Sequence, residues 1–280
     1  MAESTKLYGP ESVTWRVHTD PSMFVAGVRA LYLQSLYPRA MWGVSQNSEV
    51  RDDTWGRLQR TVDYVLATTF GTEEEAERAS ARVRKIHSML RAVDHDTGEE
   101  YGIDAPDALL WVHCAEVDSY LSVTRRSGLR LSDEEADRYL DEQRSRAARV
   151  GLDPADVPGS CADLEDYFTA IRPKLRATPE AHASARFLLA PPMPLWLSIS
   201  PVRVAYAGLS ALCFACLPPW ARRLYGMPVL PGSELTTTAA LLALRQTLGR
   251  VPPRNESELV VEARRLMREH RETGDPVAAA

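Results

Sequence analysis

PDALLWVHCAEVDSYLSVTRRSG, residues 106–128, is the stretch whose reading decides the fold. Proline suits the first position of a helix, because its fixed φ is already helical and its missing N–H has no partner to lose there. Glycine at 128 is a ready helix stop. Between them Leu109, His113, Glu116, Val117 and Tyr120 recur at steps of three and four, on or beside one face. The spacing predicts a long helix with an imidazole set among apolar neighbours.

The same signals repeat on either side. Thr72 with Glu75 forms a capping box that starts a helix, and Gly71 ends the one before it. That earlier helix starts near Asp53, with Trp55, Leu58, Val62, Val65 and Leu66 on one face. The helix after Thr72 carries Ala76, Ala79, Val83, Ile86, His87 and Leu90 as its expected buried stripe, and Arg82, Arg84, Lys85 and Arg91 crowd its second half. Upstream, Asp20-Pro21 opens a periodic stretch through Phe24, Val28 and Leu31, which Pro38 is expected to stop. The DHDTGEEYG of 94–102 reads as a polar turn. Downstream, Ser132 and Glu135 cap a helix that Gly151 closes, and proline-rich breaks fall at 191–194 and 218–219. Strand-like alternation is scarce, and neither an internal repeat nor a domain linker is visible. The expectation is an all-α, single globular multi-helix domain over 1–280, with its core at about 8–250 and a frayed tail at 271–280. Val204–Ala221 carries no charge and approaches the length of a membrane span. Its Tyr206 and the prolines at its end favour a buried core helix, so no transmembrane span is expected.

Composition narrows the function. Hydrophobic residues make up 45% of the chain and charged residues 25%, ordinary values for a globular protein. The net charge of −5, with no basic stripe, argues against a nucleic-acid binder. The first twenty residues are polar without an apolar central run, and four unevenly placed cysteines do not form a secreted disulfide framework. A cytoplasmic location is expected. Cys213 and Cys216 form a lone CxxC inside the apolar run ALCFACLPP. A redox motif would need a βαβ setting, and covalent haem attachment would need histidine where Leu217 stands.

His87 and His113 carry the chemistry of most interest. Neutral imidazole is a good iron ligand, and a helix is a rigid mount for it. Neighbouring arginines and lysines at 57, 60, 82, 84 and 85 are suited to pairing with haem propionates. The alternative is that each histidine is a hydrogen-bonded core residue and that the basic cluster is a solvated helix face. For His87 both readings stay open. Its place between Val83 and Leu90 predicts an inward direction. No HExxH, paired CxxC, GxSxG, P-loop or GxGxxG competes with this reading.

The order of motifs resembles that of the MpaB-like oxygenases, a family that includes the latex clearing proteins. The resemblance runs from about Tyr8 to Gly226. It rests on RLQRT at 57–61, FGT at 70–72, RVRKIH at 82–87, WVHCAEVDSYL at 111–121, LSDEEADRYL at 131–140 and LPPWARRLYG at 217–226. It implies an all-helical fold enclosing a pocket for non-covalent haem b, with His113 as the axial iron ligand. It further implies that Arg82 and Lys85 are a distal-side basic pair, that His87 lies near the pocket, and that Arg60 is a signature residue with a structural or propionate-facing role; Arg84, from the basic cluster, is the other residue expected to bind the cofactor. The latex clearing branch places a glutamate before this basic pair, whereas Ala67-Thr68-Thr69-Phe70 offers none. That argues against rubber cleavage and for a small hydrophobic metabolite, with O2 or peroxide as co-substrate. A non-catalytic helical protein that binds haem or a hydrophobic ligand is the alternative. The electron donor stays open, and a homo-oligomer is compatible with the sequence.

Overall fold

The computed structural model describes residues 6–47, 54–191, 200–250 and 257–273. Local chemistry places the helix ends. In α5 (Glu73–Met89) the Thr72 side chain accepts from the Glu75 backbone and the Glu75 carboxylate accepts from the Thr72 backbone. Ser132 and Glu135 do the same for α7 (Asp133–Arg149). Each box satisfies N–H groups that a helix start leaves without intrahelical partners. Pro106 opens α6 (Pro106–Arg126). Gly128 and Gly151, both at φ +104, let the chain turn away after α6 and α7 in a conformation that side chains resist.

The core is built around α6 and α2 (Met23–Gln34), which pack along much of their length. Tyr32, Leu33 and Leu36 meet Trp111, Cys114 and Ala115, all nearly inaccessible. The Trp111 indole N–H donates to the Gln34 carbonyl at 2.9 Å. Pro38 does not simply stop a helix: it is the first residue of the next one, α3 (Pro38–Gln46). A second cluster joins Trp15 of α1 (Val13–His18), Phe70 of α4 (Thr54–Phe70), and Val260, Ala263 and Met267. The last three belong to a C-terminal helix, Glu258–Thr273, so the core extends past the expected boundary at 250 and residues 271–273 are helical. The rest of the expected frayed tail, 274–280, lies outside the described residues.

Two other expectations are corrected. The polar turn is present at 94–99, but it joins the strands of a small antiparallel hairpin that was not expected, β1 (Arg91–Val93) and β2 (Glu100–Gly102), with Ala92 opposite Tyr101. Three-residue strands are too short to show a period, and the pair is held from outside, where Tyr101 is buried and donates to the Arg39 carbonyl at 2.6 Å. Nor is the uncharged stretch 204–221 a fully buried helix. In the helix Pro201–Ala215, Ser210 and Cys213 face the interior, while Val202 and Val204 are exposed. Among the described residues this helix packs on α2, on the helix Pro179–Leu189 and on the helix Ser233–Arg250 with one side only. No helix among the described residues is long and apolar enough to cross a membrane. The CxxC pair is buried and unbridged, and burial raises Cys213 to about 12 and Cys216 to about 11. Both thiols stay protonated at neutral pH, which is inert packing rather than redox chemistry.

Candidate functional site

Four helices converge on a buried polar cluster. From α6 come His113, Glu116 and Tyr120; from α7, Tyr139, Gln143 and Arg146; from α1, His18; and from α4, Tyr64 and Thr69. Arg146 is the cation at its centre, only 2% exposed. Its Nη2 pairs with Glu116 Oε2 at 2.8 Å, and Glu116 Oε1 accepts the Tyr120 hydroxyl at 2.6 Å. His18 bridges two helices, with Nε2 3.2 Å from the Tyr139 hydroxyl and Nδ1 3.2 Å from the Thr69 hydroxyl. Gln143 donates from Nε2 to Thr14 at 2.8 Å. Arg146 Nη1 and Gln143 Oε1 have no hydrogen-bond partner among the described residues. An unsatisfied buried polar group costs roughly 1–3 kcal/mol, and more when it is charged.

Burial sets the protonation states. It lowers the His113 imidazole to about 3, and the positive charge of Arg146 acts in the same direction. Burial and Arg146 also hold His18 well below its ordinary value. Tyr120 and Tyr139 are held well above theirs by burial. Burial alone would favour loss of the Arg146 proton, but Glu116 and the surrounding tyrosines outweigh it and Arg146 stays charged. At neutral pH the cluster therefore holds one ion pair and two neutral imidazoles. His113 forms no hydrogen bond at either ring nitrogen among the described residues.

The other residues singled out from sequence lie elsewhere. Arg82 and Lys85 are exposed on α5, and neither forms an ion pair among the described residues. Arg60 is exposed on α4. Arg84 is engaged at the seam between α5 and α7, donating to the Arg149 carbonyl and pairing with Glu77, which Arg149 also pairs with. His87 is half-buried, and Ile86 beside it is 42% exposed. The expected buried stripe of α5 reduces to Ala76 and Ser80, because α5 packs mainly on α4 and touches α7 along little of its length. Neither of two open clefts reaches His113. One is apolar, between Phe24, Val28 and Leu209; the other is lined by Arg16, Arg130, Arg245 and Arg271.

The family described as the ER-bound oxygenase mpaB/B'/rubber oxygenase catalytic domain matches residues 15–250. The chain belongs to this family. No curated protein and no solved structure matches it. In this MpaB/rubber oxygenase domain the matched span includes every member of the buried cluster. Sequence reasoning placed His113 and Glu116 but passed over His18, Tyr139, Gln143 and Arg146. A signal existed in α7, where Ala136, Tyr139, Gln143 and Arg146 recur at steps of three and four through a heavily charged helix. Such a stripe marks an inward face even when its members are polar.

Proposed function

We propose that this oxygenase-family chain is a haem b-dependent oxygenase acting on a small hydrophobic metabolite, with His113 as the axial iron ligand. The observation that carries the reading is the His113 imidazole: buried, neutral, mounted mid-helix, and without a hydrogen bond at either ring nitrogen among the described residues. A buried imidazole is normally hydrogen-bonded, and its neutral form is the one a metal takes. The donor set suits a porphyrin-bound iron better than a bare ion. Among the described residues no group of three or more His, Cys, Asp and Glu converges on a metal site, whereas an iron held by four porphyrin nitrogens needs one protein ligand.

Bound haem supplies the activation of dioxygen or peroxide. His113 would hold the iron from α6, and the Glu116–Arg146 pair ties that helix to α7 one turn further on. Tyr120 and Tyr139 of the same cluster are buried with His113. Arg82 and Lys85 lie one turn apart on α5 and form no ion pair among the described residues, which would suit them to cofactor carboxylates. His87 follows them on the same helix.

The test is the absorption spectrum and haem content of protein expressed with haem supplied. A Soret band and a near-stoichiometric pyridine haemochrome are expected, and His113→Ala loses most of the haem. Full retention in that variant, with its helical content unchanged, removes His113 from the assignment. Turnover of hydrophobic substrates with a reductant or peroxide then separates an oxygenase from a haem carrier.

A further inference from the structure

The cation at the centre of the buried cluster has more donors than the protein uses. A guanidinium carries five N–H donors in a fixed fork. In Arg146 one side of the fork is committed to Glu116, and Nη1 has no acceptor among the described residues. The nearby side chains do not supply one. The Tyr120 hydroxyl is spent on Glu116 and the Tyr139 hydroxyl is shared with His18. Gln143 Oε1, one turn earlier on the same helix, is itself unpartnered and does not reach it. Arg146 is thus a buried, permanently charged group with half its fork unused, in the same cluster as the one imidazole suited to iron. Planar carboxylates are the ligands that such a fork matches best.

We propose that Arg146 Nη1 anchors a carboxylate of the cofactor, so that a haem propionate is fixed by a buried arginine of α7 and not only by the surface cations of α4 and α5. This rests on the haem reading above. It gives Arg146 two roles: it neutralises Glu116, and it sets the orientation of the porphyrin relative to His113. It also separates Arg146 from Arg82, Lys85 and Arg60, whose exposed charges interact with an anion through solvent and lose strength with salt.

The experiment titrates haem-free protein with ferric haem b and with haem dimethyl ester, in which both propionates are uncharged. Soret absorbance and tryptophan fluorescence are followed. The parent chain is expected to bind haem b about 10- to 100-fold more tightly than the ester, or ~1.4 to ~2.8 kcal/mol at ~1.4 kcal/mol per decade. Most of that gap survives 0.5 M salt. Arg146→Met closes it and Arg146→Lys keeps part of it. Because Arg146→Met strands the Glu116 carboxylate, Arg146→Met/Glu116→Gln is measured alongside, and circular dichroism checks that each variant is folded. Equal affinity of the parent for haem b and the ester overturns the proposal while leaving haem binding standing. So does a gap that Arg146→Met/Glu116→Gln preserves, which assigns the propionates to surface cations. Failure of the parent to bind either porphyrin defeats the haem reading and this inference together.

Discussion

Replacing Glu116 by leucine tests whether the centre of the cluster is as closed as the structure has it. The substitution keeps the side chain's bulk and removes both oxygens. Arg146, 2% exposed, then loses the acceptor 2.8 Å away, and the Tyr120 hydroxyl loses the one at 2.6 Å. Breaking a buried pair from one side costs about 3–5 kcal/mol, because the remaining charge has neither partner nor water. The lost tyrosine bond adds about 1 kcal/mol. Glu116→Leu should therefore lower stability by roughly 4–6 kcal/mol, a large part of what a natural domain has in total. Glu116→Leu/Arg146→Met removes both charges and should recover most of the loss, since apolar replacement of a whole buried pair is often neutral or better. The assay is equilibrium urea unfolding of haem-free protein at pH 7, followed by fluorescence of the chain's six tryptophans and by far-UV circular dichroism. A single variant within about 1 kcal/mol of the parent would falsify the closed cluster, because a water-exposed pair is worth only that much. A double variant as unstable as the single one would show that Arg146 contributes through contacts other than its charge.

Three further outcomes follow from the same geometry. His113 has a folded pKa near 3 against about 6.5 when unfolded, so between those values the unfolded chain binds the extra proton and stability falls as pH falls. From pH 7 to pH 5 this amounts to about 2 kcal/mol, and in urea melts His113→Leu should lose about that much less over the interval; an unchanged pH response would place His113 in contact with water. Arg82→Ala and Lys85→Ala, both exposed, should leave the urea midpoint within about 0.5 kcal/mol of the parent while lowering haem occupancy or turnover; unaltered haem content and rates would return them to a solvated helix face. His87→Phe should fold normally because His87 is only half-buried, and a shift of the ferric spectrum from low to high spin would assign it to the iron, whereas unchanged spectrum and activity would make it a packing residue.

The sequence by itself determined where helices begin and end. Thr72 with Glu75, Ser132 with Glu135, Pro106, Gly128 and Gly151 act on N–H and carbonyl groups within a turn of themselves, so their effect can be read from neighbours along the chain. It also marked His113 as an imidazole on an apolar helix face, because a period of 3.6 is a property of one helix. What covers each face was decided only by tertiary structure. The hairpin at 91–102 is held where Tyr101 reaches Arg39, and the outer side of the helix Pro201–Ala215 is exposed because, among the described residues, its main packing partners lie on the other. His87 and His113 have similar apolar neighbours in sequence, yet α5 lies over α4 while α6 runs through the core, so one is half-buried and the other enclosed. The stripe of α7 puts Arg146 on an inward face, but that it is one half of a buried ion pair appears only when Glu116, thirty residues earlier, is brought to 2.8 Å. Burial turns that surface-type side chain into a fixed charge, and burial is a sum over contacts from four helices that no local pattern contains.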